Sequence, residues 1–282
     1  MKTHLSCFPC FVEQTLGAIR RLTPDPALHE RALREVLRHA AQHDLATPPP
    51  VMGRIIYDVV REVTGLDDPY LAEKKLFNAL ALSLVPELRR TIDGSSDPLA
   101  AAVRLAAAGN IVDFGIHHDL HEGHVRDAIR LALDQPLDPA LLNDFRRAIA
   151  AARDILYLGD NTGEIVFDRL LLERLPREHI TFVVRGKPII NDALMEDAVE
   201  TGITSLVPVI DNGSDIPGTW LPDCSPEFRA RIARADLVIS KGQGNYETLD
   251  GPVPTFFLLK VKCSGIAENV GQEIGSLVLA AR

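Results

Sequence analysis

Residues 154–167 have the sequence DILYLGDNTGEIVF, and this stretch decides the fold. Residues 155–158 form an apolar run of strand length, small and oxygen-bearing residues follow, and an amphipathic helix pattern begins at about Glu164. In an open α/β sheet, ligands bind outside the carboxyl ends of the strands, where such turns collect. Asp160 and Asn161 would project there, beside the positive end of the next helix. A carboxylate repels phosphate but holds a hard cation that in turn binds phosphate, so the turn indicates a metal site.

The remainder of the second half repeats this alternation of strand and helix. Apolar runs of strand length lie at 155–158, 180–184, 206–210, 237–240 and 256–259, and helical patterns lie at 165–175, 193–200, 227–233 and 246–249. Strands that alternate with helices and are apolar on both faces indicate a mainly parallel sheet covered on both sides. The predicted fold is therefore α/β, a Rossmann-like three-layer α/β/α domain. Residues 274–279 would add an edge strand.

The first half has the period of helices. Apolar residues recur at helical spacing through 12–22, 27–40, 51–63, 69–90 and 98–109. Gly65 is placed to end the third helix, and Pro86 should bend or split the fourth. Asp97 and Pro98 have the pattern of an N-cap followed by the first helical residue. We therefore predict a helical domain at residues 1–145 and the Rossmann-like domain, which carries the metal site, at 146–282.

Composition narrows the class of protein. The chain has 282 residues, 46% of them apolar, and a net charge of −9, which argues against a nucleic-acid partner. A small anionic substrate is compatible with that charge if positive charge is concentrated locally. We find neither an apolar run long enough for a bilayer nor a signal-peptide core, and four cysteines suit a reducing cytosol. The sequence predicts a cytoplasmic protein without a membrane partner, and its oligomeric state is unreadable.

Three strand ends carry polar residues that would meet at one edge of a parallel sheet. The candidates there are Asp160, Asn161 and Glu164 after the first strand, Arg185 and Asp192 after the second, and Lys241 and Asn245 after the fourth. A site with oxygen ligands and without His or Cys selects Mg²⁺ or Mn²⁺. Arg185 and Lys241 would bind the phosphoryl oxygens that the metal does not contact. Helix capping is the structural alternative for Asp160 and Asn161, and three such loops in one sheet weigh against it. Dinucleotide, P-loop, nucleophile-elbow and Asp-x-Asp motifs are missing.

Other polar residues allow more than one interpretation. The segment 109–115, with Asn110 and Asp113, is either a helix C-cap or a loop over the active site. The histidines of residues 117–124 fit no zinc spacing, so a solvated loop is the better interpretation than a metal site. Cys7-x-x-Cys10 is half of a tetrahedral zinc site, and Cys263 is a natural third thiol. Structural packing, a second metal and redox activity all stay open for these cysteines.

These motifs resemble the DUF89 family, the metal-dependent damage-control phosphatases of the ARMT1-like group. The resemblance rests on residues 159–164, 185–188, 191–192 and 241–245, and residues 7–10, 109–113 and 259–263 look like its prokaryotic, cysteine-bearing subfamily. It implies a helical domain packed on a Rossmann-like domain, and it implies Asp160, Asn161 and Asp192 as metal ligands. It also implies that Lys241 and Lys260 contact the substrate phosphate, with Asn110 and Asp113 lining the pocket. The resemblance also implies that the protein accepts several divalent metals. Mg²⁺ and Mn²⁺ follow from the oxygen ligands as well, whereas Co²⁺ and Ni²⁺ come from the resemblance alone.

The predicted function is metal-dependent hydrolysis of small phosphomonoesters, such as sugar phosphates or damaged phosphometabolites. Asp160 and Asp192 are the candidate catalytic residues. The attacking group is either water or the carboxylate of Asp160, and the sequence leaves both open. A nucleotide-binding enzyme and a non-catalytic metal or metabolite sensor are the rival functions on the same fold.

Overall fold

The computed structural model describes residues 1–109 and 122–282, with the backbone alone at 122–126 and 128. A six-stranded sheet lies at the centre of these residues. Its strands are β1 (Ile155–Leu158), β2 (Ile180–Val184), β3 (Val209–Asp211), β4 (Leu237–Lys241), β5 (Thr255–Lys260) and β6 (Leu277–Ala281). The spatial order is β3-β2-β1-β4-β5-β6, with β1 to β5 parallel and β6 antiparallel to β5. The predicted mainly parallel sheet and its added edge strand are thus confirmed.

The helices of the described ranges follow the apolar periodicity of the sequence. They are α1 (Cys7–Leu22), α2 (Pro26–Ala41), α3 (Pro50–Thr64), α4 (Leu71–Asp93), α5 (Pro98–Ala107), α6 (Glu122–Asp134), α7 (Pro139–Ala151), α8 (Glu164–Leu172), α9 (Met195–Glu200), α10 (Pro226–Ile232), α11 (Gly242–Thr248) and α12 (Ser264–Val270). Among them, none combines the length and the apolar character that a bilayer-crossing helix needs.

The helix ends agree with the predicted caps. Asp97 accepts a hydrogen bond from the Ala100 amide at 3.1 Å, and Gly65 ends α3 with φ +72°. Pro86, however, lies inside α4, which continues through it to Asp93, so the predicted split does not occur. A proline removes one backbone donor, and the burial of Leu84 and Leu88 on either side favours a continuous helix.

Alternate strand residues enter two apolar layers, which makes the domain three layers deep. Tyr157 and its neighbours on one face join the core formed by α4 to α8, and Leu156 and Leu158 on the other face join α10 to α12. A third apolar cluster lies among α1, α2 and α3 alone. Helices α4 to α7 pack in the same apolar core as the sheet, and this packing does not require a domain boundary at residue 145. The predicted boundary therefore stays a prediction.

Candidate functional site

The site lies where the strand order reverses, between β1 and β4. The turn after β1 carries Asp160, and the turn after β4 carries Gly242. Gly242 has φ +76°, and a Cβ atom built on it would overlap the Asp160 carboxylate. Only glycine therefore lets the two turns approach so closely. Open α/β sheets bind ligands at this reversal point, because neighbouring connections leave it in opposite directions.

The segment 189–193 is fastened to the turn after β1. The amide of Thr162 donates to the Asn191 carbonyl at 2.9 Å, and the amide of Ala193 donates to the Asp160 carbonyl at 2.8 Å. An isolated β-bridge joins Asn161 to Asp192. These bonds bring Asp160, Asn161 and Asp192 together at the sheet edge, as the sequence predicted. Their role as metal ligands stays a prediction.

Arg185 lies behind the two carboxylates, and its side chain has no exposed surface. Its Nε donates to Asp192 at 2.6 Å, and its Nη2 lies 3.6 Å from an Asp160 oxygen and donates to Asn245 at 3.3 Å. Contact with a substrate phosphate stays a prediction for Arg185. The observed contacts make it the counter-ion that fixes the orientation of Asp192.

Asn245 is also fully buried, and its side-chain amide is hydrogen-bonded within the protein. Its Nδ2 donates to the Gly159 carbonyl at 3.0 Å and to the Lys241 carbonyl at 2.7 Å, while its Oδ1 accepts from Thr219 at 2.7 Å. These bonds hold the turns after β1 and β4 together. A substrate contact by Asn245 stays a prediction.

Lys241 is paired with two carboxylates below the turn after β1. Its Nζ donates to Glu164 at 2.8 Å and to Asp168 at 2.6 Å, and Tyr157 also donates to Asp168, at 2.7 Å. Glu164 in turn accepts from Asn161 Nδ2 at 3.3 Å, and the same Nδ2 donates to Asp160 at 2.9 Å. A hydrogen-bonded chain thus runs from the sheet core to the Asn161 amide. The predicted contacts of Lys241 and Glu164 with phosphate remain untested.

The electrostatics favour a cation at this place. Burial raises the pKa of Asp160 well above its ordinary value, and repulsion from Glu164 and Asp192 adds to the rise. Burial also raises the pKa of Asp192, against the opposing effect of Arg185. A divalent cation beside these carboxylates would relieve both effects, because it favours their ionised forms.

Two adjoining cavities open above the carboxylates. The inner cavity, of about 330 Å³, has Asp160, Asn161 and Asp192 in its lining. The outer cleft, of about 510 Å³, is lined mainly by residues of α1 and α3. Ile190 and Lys262 line both.

Lys262 lines both cavities, and it was not among the site residues that the sequence predicted. Its charge opposes the rise in the pKa of Asp160, so it acts electrostatically on the inner cavity. Lys260, which was predicted, is half-buried at the end of β5, and burial and the charge of Lys262 lower its pKa. No local pattern in the sequence singles out Lys262, because it lies beyond the end of β5. Contact of Lys260 with the substrate phosphate stays a prediction.

The cysteines gather at the rim of the inner cavity. Cys7, Cys10 and Cys263 all line it, and burial raises the pKa of Cys7 and Cys10. Gln243 Nε2 lies 3.5 Å from the Cys263 sulfur. Cys224 is buried against α10 instead. In the described part of the chain, no three His, Cys, Asp or Glu side chains are arranged to hold a metal, so a second metal at these thiols gains no support.

Several predicted residues lie outside the described residues. They are Asn110 and Asp113, with the histidines His117, His118 and His121, and for His124 the side chain is not described. Their predicted places, over the pocket or in a solvated loop, stay predictions. Gly109, the last described residue before them, lies against the Glu164 side chain.

Comparison with known proteins adds to this geometry. Residues 3–278 match the family described as damage-control phosphatase ARMT1-like domain. An uncharacterized protein of Methanocaldococcus jannaschii is 34% identical over 100% of this chain and 96% of its own length. Damage-control phosphatases of Archaeoglobus fulgidus and Pyrococcus horikoshii are 32% and 31% identical, each over 99% of this chain and over 98% and 97% of their own lengths.

A solved structure resembles the whole chain. The crystal structure of a DUF89 family protein from Pyrococcus horikoshii superposes with a TM-score of 0.88 at 28% identity, covering 99% of this chain and 98% of that one. The match therefore extends over both the helical half and the sheet. The chain belongs to the damage-control phosphatase ARMT1-like family, also known as DUF89.

Proposed function

We propose that this protein is a divalent-metal-dependent phosphatase that hydrolyses small phosphomonoesters. One observation carries the proposal: Asp160, Asn161 and Asp192 meet beside the inner cavity at the reversal point of the sheet. Relatives named damage-control phosphatase support the reaction class. The location is cytoplasmic in this proposal, in keeping with the free cysteines.

The donor set fits a hard divalent cation. Two carboxylates and one amide supply oxygen ligands, and Mg²⁺ or Mn²⁺ is commonly held by one or two carboxylates together with water and substrate phosphate. Asn161 donates through Nδ2 to Asp160 and Glu164, which leaves its Oδ1 as the group available to a metal. Co²⁺ and Ni²⁺ are further candidates from the family resemblance.

The protein side chains would divide the work of the reaction. A bound cation supplies charge neutralisation at a phosphoryl oxygen and lowers the pKa of water. Arg185 holds Asp192 in one orientation, and the Lys241–Glu164 pair holds the Asn161 amide. Lys262 provides positive charge at the cavity for phosphoryl oxygens that the cation does not cover. The attacking oxygen belongs either to water or to Asp160.

The test is phosphate release from p-nitrophenyl phosphate after chelation and after addition of Mg²⁺, Mn²⁺, Co²⁺ or Ni²⁺ singly. We expect activity only with added metal, and we expect Asp160→Ala and Asp192→Ala to abolish it. Metal binding by each variant, measured by calorimetry, separates loss of the cation from loss of chemistry. Full activity of either variant at saturating metal would refute the site assignment.

A further inference from the structure

We propose that Ile190 determines substrate specificity, and that the outer cleft binds the alcohol portion of the phosphomonoester beyond it. The inference rests on the proposed function and deepens it, because it assigns a subsite for the part of the substrate that is not phosphate. Three observations carry it, namely the backbone of Ile190, its place between the cavities and the chemistry of the cleft.

Ile190 has φ +43°, and within the described ranges no other residue except glycine has a positive φ. This left-handed conformation is a genuine outlier for a β-branched residue. The flanking backbone imposes it, because Asp192 donates to the Ile189 carbonyl at 3.0 Å and the Asn191 carbonyl accepts from Thr162. The same bonds bring Asp192 to the site.

The choice of residue at this position needs a separate reason. Glycine or asparagine would adopt the required φ at lower cost, so the backbone alone does not call for isoleucine. Core packing does not call for it either, since Ile190 is only half-buried. The residue instead lines both the inner cavity and the outer cleft, next to Asn191, which also lines both. A strained residue at such a place points to a functional contact.

The outer cleft has the chemistry of a small-molecule subsite. Tyr70 is half-buried in the cleft wall, with the Arg21 guanidinium 5.4 Å from its ring centroid, and it stacks on the buried Tyr57 with ring centroids 6.1 Å apart. Glu13 and Gln14 from α1 add a carboxylate and an amide to the lining. An apolar and aromatic wall with a few polar and charged groups suits a ring that bears hydroxyl groups. With phosphate at Asp160, Asn161 and Asp192, such a ring would pass Ile190 to enter the cleft.

Binding of phosphonates tests the subsite without hydrolysis, because their carbon–phosphorus bond does not break. The probes are methylphosphonate and a hexose phosphonate, titrated by calorimetry in the presence of Mg²⁺, Mn²⁺, Co²⁺ or Ni²⁺ singly. The wild-type protein should bind the hexose phosphonate at least tenfold more tightly. Equal binding of the two probes, or binding of neither, would overturn the subsite.

Variants at residue 190 test the role of the side chain. In Ile190→Gly, the Kd of the hexose phosphonate should rise at least fivefold, while that of methylphosphonate changes less than twofold and Tm does not fall. The matched control is Ile274→Gly, at an exposed position outside both cavities. Equal weakening of both probes would instead assign Ile190 to the placement of Asp192 alone, and no weakening would remove it from the site.

The outcome stays distinguishable from that of the proposed function. If the wild-type protein binds the hexose phosphonate through Ile190 but releases no phosphate from any ester with any metal, the phosphatase proposal fails and the subsite stands. If phosphate release depends on Asp160 and metal but Ile190→Gly binds both probes as the wild type does, the phosphatase proposal stands and the subsite fails.

Discussion

Lys241 shows how a single buried charge can hold the elements of a site together. Its ammonium group has no exposed surface and lies between the Glu164 and Asp168 carboxylates. Burial alone would lower the pKa of Lys241, but the two carboxylates raise it above its ordinary value. Its charge is thus part of the fold, and the phosphate contact that the sequence predicted for it stays a prediction.

Lys241→Met should therefore destabilise the protein strongly. Removing one partner of a buried ion pair leaves uncompensated charge and costs about 3–5 kcal/mol. The measurement is the free energy of unfolding in urea. Addition of Asp168→Asn, which removes one carboxylate but keeps an acceptor for Tyr157, should recover part of the loss. A cost below about 1 kcal/mol, as for exposed pairs, would contradict the burial of this network.

Glu247 gives a prediction about pH. Burial raises its pKa to about 7 from an ordinary value of 4.5, so between these values the native protein holds a proton that the unfolded chain releases. The free energy of unfolding contributed by this group therefore falls as the pH rises through that window, by up to about 3 kcal/mol. Glu247→Gln should gain stability relative to the wild type from pH 5 to pH 8 in urea unfolding. Parallel pH profiles would show that the carboxyl is not buried.

At the scale of elements, the direct junction of β4 with α11 needs a residue without a side chain at Gly242. Gly242→Ala would place a Cβ atom on the Asp160 carboxylate. We expect loss of metal binding by calorimetry and at least a hundredfold loss of phosphate release. Gly271→Ala is the matched control, since Gly271 has φ +67° at the end of α12 with open space around it. It carries the same backbone strain, of order 1 kcal/mol, so equal loss in both variants would show strain and not displacement.

The elements were largely predictable, and the exceptions have physical causes. β1 and the turn to Asp160 were clear because an apolar run ends in small polar residues. β3 begins at Val209 and not at residue 206, because Pro208 has no amide and only its carbonyl joins the ladder, accepting from Phe182. α11 begins directly at Gly242, although the helical pattern was recognised only from residue 246.

The sequence could predict that the carboxylates of the candidate site lie together, but not which partners the cations Arg185 and Lys241 would have. Asp160 and Asp192 follow strands, so topology places them together. Arg185 and Lys241 follow strands too, yet their direction depends on Asp168 and Thr219, which no local pattern connects to them. The backbone conformation of Ile190 could not be predicted from the sequence either, because its φ depends on hydrogen bonds that neighbouring residues make.

At the scale of the whole molecule, the packing predicts which parts open together. Leu105 of α5 and Phe77 of α4 are buried in the same apolar layer as the sheet, whereas Val36 and Val60 belong to the separate cluster of α1 to α3. Native-state hydrogen exchange should give α5 the opening free energy of β1 and β4, and α2 a lower one. If α4 and α5 instead open with α2, independently of the sheet, the predicted division at residue 145 gains support.

The division between the inner cavity and the outer cleft has a consequence for how this protein can diversify. The carboxylates come from two adjacent turns that backbone bonds fasten together, whereas much of the cleft wall comes from α1 and α3. If the outer cleft binds the alcohol portion of the substrate as proposed, exchanges at positions of those helices outside the inner cavity should alter which molecules are accepted without moving the carboxylates. On that proposal, selectivity could be engineered through α1 and α3 while the turns that carry the carboxylates are inherited unchanged.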